Sequence, residues 1–173
     1  MALSNTDLLS VSEAKKASLD HWRNGVRLEC SGGCTIQELV QQTVRARFDL
    51  AEEMRRQGHL VWTLTPPIYR LAVNRFYYAL YHATRSLVYY TYGGDDHQEH
   101  KVVPIHIPSD FPDSQNWQNN LKDARTLRNE VDYNPYPNTD VNWQSAATTM
   151  AGRTDVFVPL VRTYLQTKGC TNL

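Results

Sequence analysis

One stretch of the chain places two arginines, an amide, a carboxylate and a phenol within a helical pattern. Arg125, Arg128 and Asp132 share one helix face, because residues three or four apart lie side by side on a helix. Asn129 and Tyr133 belong to the same stretch. Two guanidinium groups beside an amide can hold a phosphate. Residues Arg128 and Asp132 are also spaced for an ordinary helix ion pair, and composition alone favours that interpretation.

A second polar set lies upstream, on the polar side of another predicted helix. Tyr78, Tyr81 and Arg85 face away from its apolar positions, and Tyr77 lies next to them. Tyrosine rings can stack on nucleic-acid bases, and an arginine can line a phosphate groove. The alternative is that the tyrosines pack in the bundle with their hydroxyls at its rim, while Arg85 is solvated. We favour packing for the tyrosines.

A polar loop follows this helix over residues 93–113. Its histidines and acids suggest two interpretations, a metal site or a solvated excursion, and we favour the solvated excursion and predict no metal. His100 is a candidate proton carrier, because imidazole exchanges a proton near neutral pH. Cys30 and Cys34 lack further ligands at zinc spacing, so we expect unbridged thiols.

The elements that must position these residues are helices. The hydrophobic period is helical almost throughout and no hairpin signal occurs, so we predict an all-α, up-and-down bundle of about five helices. The expected helices are residues 10–24, 35–58, 66–92, 114–133 and 140–167.

Local signals set the expected helix ends. Capping boxes at Ser10–Glu13 and Thr35–Glu38 open two helices, and Asp140 caps the last one. Gly25 and Gly58 are expected stops. Three further expectations concern the remaining boundaries: an N-cap at Thr65–Pro66, a cap at Ser114, and a kink or break at Gly152 and Pro159.

Composition excludes several classes of protein. The chain has 173 residues, and 18 basic residues balance 18 acidic ones. A neutral balance argues against a bulk electrostatic coat for nucleic acid, although it permits a local basic groove. The apolar runs are too short to span a membrane, and the N-terminus lacks a signal-peptide pattern. With three cysteines, we expect a reducing compartment and a cytoplasmic location.

Two segments resemble a known family. Residues 72–87 contain Arg75-Phe76-Tyr77-Tyr78-Ala79 and, after two residues, His82-Ala83, which is similar to the R-x-Y-Y-A-x-x-H-A segment of HEPN (higher eukaryotes and prokaryotes nucleotide-binding) domains. Residues 128–133 resemble the R-x-x-A-D-Y motif of one branch, with valine in place of alanine. Both segments occur in the family's order, and the resemblance covers roughly residues 65–167.

The resemblance implies a function. HEPN domains are helical bundles that usually dimerise, and many are metal-independent ribonucleases of toxin–antitoxin or anti-phage systems. A minimal nucleotidyltransferase is a frequent partner. Arg128 matches the motif arginine and Asn129 its polar neighbour. The place of the motif histidine is occupied by Tyr133 or Asn134. The proton carrier therefore stays open among Asp132, Tyr133, a histidine from elsewhere (His82 or His100), and a histidine of a partner subunit.

Three hypotheses follow. The first is a HEPN-type endoribonuclease that needs no metal or cofactor, binds RNA and forms a homodimer. The second is a catalytically inactive HEPN module that binds a nucleotidyltransferase or a larger defence complex. The third is a helical adaptor that makes contacts through residues 1–60. We expect residues 65–173 to form the HEPN-like core and residues 1–64 to pack on it, within a single folded domain.

Overall fold

The computed structural model describes residues 4–136, 141–171 and 173. This part of the chain contains no strand, so the prediction of an all-α helical bundle is confirmed. None of its helices combines the length and the apolarity that a membrane span requires. The elements, in chain order, are α1 (Asn5–Ser12), α2 (Lys16–Gly32), α3 (Ile36–Trp62), α4 (Tyr69–Tyr92), a 3-10 turn (Val103–His106), α5 (Ser114–Tyr133) and α6 (Trp143–Thr167).

The chain divides into two compact units, one ending at Val40 and one beginning at Gln41. The first unit holds α1, α2 and the start of α3, and no residue of α2 is buried in it. The second unit holds the rest of α3, the remaining helices and the hydrophobic core. The expected packing of residues 1–64 on a core of residues 65–173 stays a prediction.

Helix α4 is the centre of the second unit. It packs against α5, α6 and the 3-10 turn. Its buried residues include Phe76, Leu80 and Leu87, which burial removes from water and which thereby stabilise the fold. Gly58 of α3 lies against Phe76, since a Cβ at this position would be 2.6 Å from the Phe76 Cε1 atom. The absence of a side chain therefore allows α3 to approach α4 closely.

The predicted boundaries of the first two helices were partly wrong. Ser10 lies inside α1 and its hydroxyl donates to the Thr6 carbonyl at 3.0 Å, so it opens no helix. Gly25 lies inside α2, which ends only before Gly33, whose φ of 63° forms the left-handed cap. An interior glycine costs only about 1 kcal/mol, which a helix can tolerate. The capping box at Thr35–Glu38 is confirmed by bonds of 2.7 and 3.2 Å.

The later boundaries show similar small shifts. Helix α3 continues past Gly58 to Trp62, and α4 begins at Tyr69, three residues after Pro66. The N-cap of α5 is Asp113 rather than Ser114. Helix α6 continues through Gly152 and Pro159 without a break.

The cap of α6 is also a different residue from the predicted one. Asp140 lies outside the described residues. The Asn142 side chain accepts a hydrogen bond from the Ser145 amide at 2.9 Å and caps the helix.

Candidate functional site

Helices α4 and α5 hold the predicted motif residues in place. The Arg70 Nη2 atom, in the first turns of α4, donates to the carbonyl oxygens of Val131 at 2.6 Å and Asn134 at 3.3 Å. These carbonyls belong to the end of α5, where helical partners are missing. The end of α5 that carries Arg128, Asn129, Asp132 and Tyr133 is therefore fixed against the start of α4.

Arg128 is surrounded by polar partners. Its Nη2 atom donates to the Tyr78 hydroxyl, and its Nη1 atom donates to Asn129 Oδ1 at 3.2 Å. Its Nε atom lies 2.8 Å from Asp132 Oδ2, which confirms the predicted ion pair, although the angle at Nε does not give a hydrogen bond. The Arg128 side chain is only 13% exposed. The guanidinium is thus oriented by three neighbours rather than freely solvated.

Aromatic rings complete this environment. The Arg128 Cζ atom lies 5.0 Å from the ring centroid of Tyr133, 5.3 Å from that of Tyr78 and 5.8 Å from that of Tyr77. Such contacts stabilise a cation through the negative face of the ring. Tyr133 is 69% exposed, whereas Tyr77 is 2% exposed. The arginine therefore lies between a solvent-facing ring and the core.

Asp132 has a second fixed contact. Its two carboxylate oxygens accept hydrogen bonds from Asn74 Nδ2 at 2.8 and 3.0 Å. Asn74 lies on α4, one helical turn before Tyr78. The carboxylate is thus held by α4 while it pairs with the arginine of α5.

His100 comes from the loop after α4 and reaches the same place. Its Nδ1 atom is 2.6 Å from the Tyr77 hydroxyl, and its ring stacks on Tyr81 with centroids 4.0 Å apart. The loop is held by a hydrogen bond from the Tyr81 hydroxyl to the Gln98 carbonyl at 2.6 Å. Two tyrosines of α4 therefore fix a histidine that is far from them in sequence.

The surroundings of His100 favour its neutral form. Burial lowers its pKa, and the positive charges of Arg128, Arg125 and Arg85 lower it further. When Nδ1–H donates to the Tyr77 oxygen, Nε2 carries the lone pair. Burial raises the pKa of Tyr77, against the opposing effect of Arg128, so its phenol stays protonated. The geometry supplies a neutral imidazole that can accept a proton near cationic groups.

A second pair of arginines lies beside the later turns of α4, with one member on α4 and the other on α3. Arg85 Nε donates to Asp95 Oδ1 at 3.1 Å, and Arg85 Nη2 also bonds to this carboxylate. Arg47, from α3, donates to the same Oδ1 atom at 2.8 Å. The hydrogen bond from Arg85, with further help from Arg47, lowers the pKa of Asp95 to about 2 despite partial burial. One carboxylate thus holds two guanidinium groups together.

His82 connects the two groups of arginines. Its ring lies 6.1 Å from that of Tyr78 and 5.0 Å from that of Tyr81, centroid to centroid. Burial lowers its pKa to about 4, with contributions from Arg85, His100 and Arg47. The same Arg85 charge acts on His82 and on His100, so both histidines belong to one cationic region.

We call this set the cationic row. It contains four arginines against two carboxylates, with two neutral histidines between them, although the whole chain is electrically balanced. None of the interactions found among the described residues pairs Arg125 with a carboxylate. The members of the row are Arg47, Arg85, Arg125, Arg128, Asp95, Asp132, His82 and His100.

The structure brings the predicted site residues into this row or next to it. Tyr81 is only 8% exposed, so in this conformation its ring packs on His100 rather than facing solvent. Arg75 of the family-like segment lies elsewhere, with Nη1 at 3.7 Å from Met54 Sδ. Within the described ranges, no three metal-ligating side chains are arranged to hold a metal ion.

The structure adds four residues to the set of predicted site residues, and the sequence indicates one of them, Tyr77, only as a ring that could stack on bases. Two of them, Asn74 and Tyr77, lie on α4 beside the predicted set, so their helical spacing was an available signal. The other two, Arg47 and Asp95, are 48 residues apart, and no local pattern joins them.

Comparison of the chain with family models, with curated proteins and with solved structures gives no significant match.

Proposed function

We propose that the protein is a HEPN-type endoribonuclease that acts without a metal, as a toxin or anti-phage effector. The observation that carries the proposal is the position of His100, which bonds to Tyr77 and stacks on Tyr81, and whose pKa is lowered by burial and further by three arginines. Phosphodiester cleavage by the 2′-hydroxyl needs a proton acceptor beside positive charge. The family resemblance implies roles for Arg128 and Asn129 and leaves the proton carrier open, with His100 as one candidate, and we assign that role to His100.

The proposed reaction is an intramolecular transfer at phosphorus. His100 Nε2 accepts the proton of the 2′-hydroxyl, and the 2′-oxygen forms a bond to phosphorus. The bond from phosphorus to the 5′-oxygen breaks, and that oxygen takes a proton from Tyr133 or water, because Asp132 is held as a carboxylate by Arg128 and Asn74. The products are a 2′,3′-cyclic phosphate and a 5′-hydroxyl. Arg125 and Arg128 stabilise the negative charge that develops on the phosphorane oxygens.

The test is cleavage of total RNA with EDTA present. Wild-type protein is expected to cleave, and Arg128→Ala to lose at least about 100-fold of the rate, as removal of a charge-stabilising donor does elsewhere. Arg56→Ala is the matched control, because this arginine is 65% exposed and its Nη2 atom pairs with Glu53 at 2.7 Å. Cleavage that persists unchanged in Arg128→Ala rejects the assignment of Arg128. The 3′ ends of the products must carry the cyclic phosphate.

One observation favours the second candidate, a HEPN module that binds without cleaving. Arg128 is 13% exposed and already contacts Asp132 and Tyr78. A guanidinium with satisfied donors has fewer donors left for a phosphate. No cleavage by pure wild-type protein, together with a stable complex with a nucleotidyltransferase or a larger defence assembly, would select this candidate.

Two further parts of the proposal rest on the family resemblance and on the cysteine content, respectively. The chain forms a homodimer, and it acts in the cytoplasm. Light scattering on the purified protein tests the dimer, because a monomer at micromolar concentration contradicts it.

A further inference from the structure

The cationic row contains two groups of arginines that are separated along α4. We call Arg125 and Arg128 the proximal pair, and Arg47 and Arg85 the distal pair. Arg128 contacts Tyr78, and Arg85 lies seven residues further along the same helix. At about 1.5 Å per residue this separation is about 10 Å. A single phosphate group is too small to contact both positions. His100 lies between them, since it stacks on Tyr81.

Several contacts fix the geometry of the distal pair. Asp95 holds Arg85 and Arg47 from two different helices, and the Arg47 guanidinium also covers the Tyr89 ring at 4.3 Å. Arg85 Nη2 donates to Gln98 Oε1 at 3.1 Å, in the loop that carries His100. Two arginines on one carboxylate leave a net positive charge, and a pre-oriented guanidinium loses less entropy when it binds an anion.

The electrostatics of the two histidines point to the same arrangement. Burial lowers the pKa of both His100 and His82, Arg85 lowers both further, and Arg47 adds to the effect on His82. Positive potential therefore extends from the proximal arginines to the distal pair. An anionic chain that follows this row would pass over His100.

We propose that Arg85 and Arg47, held by Asp95, form a second phosphate subsite, so that the ligand is a single-stranded oligonucleotide contacting at least two phosphates. Arg125 and Arg128 contact one phosphate and the distal pair contacts another. The ligand class rests on the proposed function. The subsite itself depends only on the separation and charge of the two arginine groups.

The test compares a dinucleotide, which has one phosphate, with a hexanucleotide. Both probes are single-stranded, fluorescently labelled 2′-deoxy oligonucleotides, which cannot be cleaved by a 2′-hydroxyl. Fluorescence anisotropy at several salt concentrations gives the affinity. Each contacted phosphate of a single strand contributes a slope of about 0.7 to the fall of log K with log salt. For the wild type we expect a hexanucleotide slope that exceeds the dinucleotide slope by at least about 0.7. Equal slopes overturn the proposal.

Variants locate the contact. Arg47→Gln with Arg85→Gln should remove the slope difference and weaken hexanucleotide binding roughly tenfold, with little effect on the dinucleotide. The control is Arg56→Gln, because Arg56 is nine residues from Arg47 and so lies on the opposite side of α3. A preference for the hexanucleotide that survives in the double variant, or that Arg56→Gln also removes, overturns the proposal. Circular dichroism verifies that each variant is folded.

Cleavage assays separate this inference from the proposed function. If the protein does not cleave RNA, but its preference for the hexanucleotide depends on Arg47 and Arg85, the result contradicts the nuclease and supports the subsite. If the protein cleaves RNA, but its length preference does not depend on Arg47 and Arg85, the result supports the nuclease and overturns the subsite.

Discussion

Two regions of the second unit combine arginines, carboxylates and a histidine, yet their charges are arranged differently. In the cationic row, arginines outnumber carboxylates, and His100 bonds to a tyrosine hydroxyl. In the region between α3 and α6, each arginine has an acidic partner, and His59 Nε2 lies 2.9 Å from Asp155 Oδ1. We call this second set the balanced region; it contains Arg55, Arg56, Arg162, Glu52, Glu53, Asp155 and His59.

The comparison shows that ion pairs alone do not mark a binding site. A surface depression of about 510 Å³ lies in the balanced region and is lined by His59, Arg55 and several acids. Two arginines and three carboxylates line this depression, so it has no excess positive charge for an anion. The cationic row has an excess of positive charge and a histidine whose proton is disfavoured. The imbalance of charge, rather than concavity, indicates where a phosphate can bind.

The largest expected difference between the regions is catalytic. His100→Gln should lower kcat/KM for RNA cleavage at least about 100-fold, because glutamine cannot exchange a proton near neutral pH. His59→Gln should leave the rate within about twofold, since His59 lies outside the row. A fluorogenic RNA substrate in EDTA measures both rates.

The pH profile sharpens this test. The pKa of His100 is lowered, so a base at this position stays active below the pH at which an ordinary histidine loses its lone pair. The acidic limb of kcat/KM should therefore lie below about pH 6.5. Equal losses in His100→Gln and His59→Gln, with both proteins folded, would remove the distinction between the regions.

A smaller effect concerns the helix that both regions share. Helix α3 carries Arg47 into the row and His59 into the balanced region, and Gly58 sets its distance from Phe76. Gly58→Ala should lower the free energy of unfolding by about 1 to 3 kcal/mol, because the new methyl group overlaps the Phe76 ring.

The matched control is Gly152→Ala in α6. A Cβ at Gly152 meets no atom within 4 Å. This substitution should stabilise the protein by about 0.5 to 1 kcal/mol through lower entropy of the unfolded chain. Chemical denaturation measures both variants, and equal effects would show that the close approach at Phe76 is unimportant.

Much of this architecture could be predicted from local sequence. The capping box at Thr35 and the extent of α5 follow from short-range patterns, and so does the pairing of Arg128 with Asp132. These features depend on residues at most one helical turn apart, or on a repeating apolar stripe. For this reason, the part of the cationic row that contains Arg128 and Asp132 could be predicted from the sequence.

The contacts of His100 and of the distal pair depend on packing between residues far apart in the sequence. The Tyr77–His100 bond joins residues 23 apart, and the Arg47–Asp95 bond joins residues 48 apart. No periodicity determines where a loop of histidines and prolines folds back. Local rules also failed where packing outweighed them. Gly58 was expected to end a helix, but it lies inside α3 and packs against Phe76.

The smallest expected effect is a difference in acid stability between the regions. The pKa of His82 is about 4 in the folded protein, because it is buried among Arg85, His100 and Arg47 and against the rings of Tyr78 and Tyr81. An unfolded histidine titrates near pH ~6.5. Between these values the unfolded chain binds more protons than the native state, so the free energy of unfolding falls as the pH drops from about 6.5 to about 4.

His82→Gln isolates this contribution. The variant should lose less stability than the wild type between pH 7 and pH 4, by about 1 kcal/mol after solvent screening. His59→Gln is the control, because His59 Nε2 lies beside the Asp155 carboxylate in the balanced region. Urea unfolding at several pH values gives the slopes, and comparing slopes rather than absolute values removes any change in packing. A wild-type slope that His82→Gln leaves unaltered would mean that neither burial nor the arginines disfavour a positive charge there, and the electrostatic contrast between the two regions would fail.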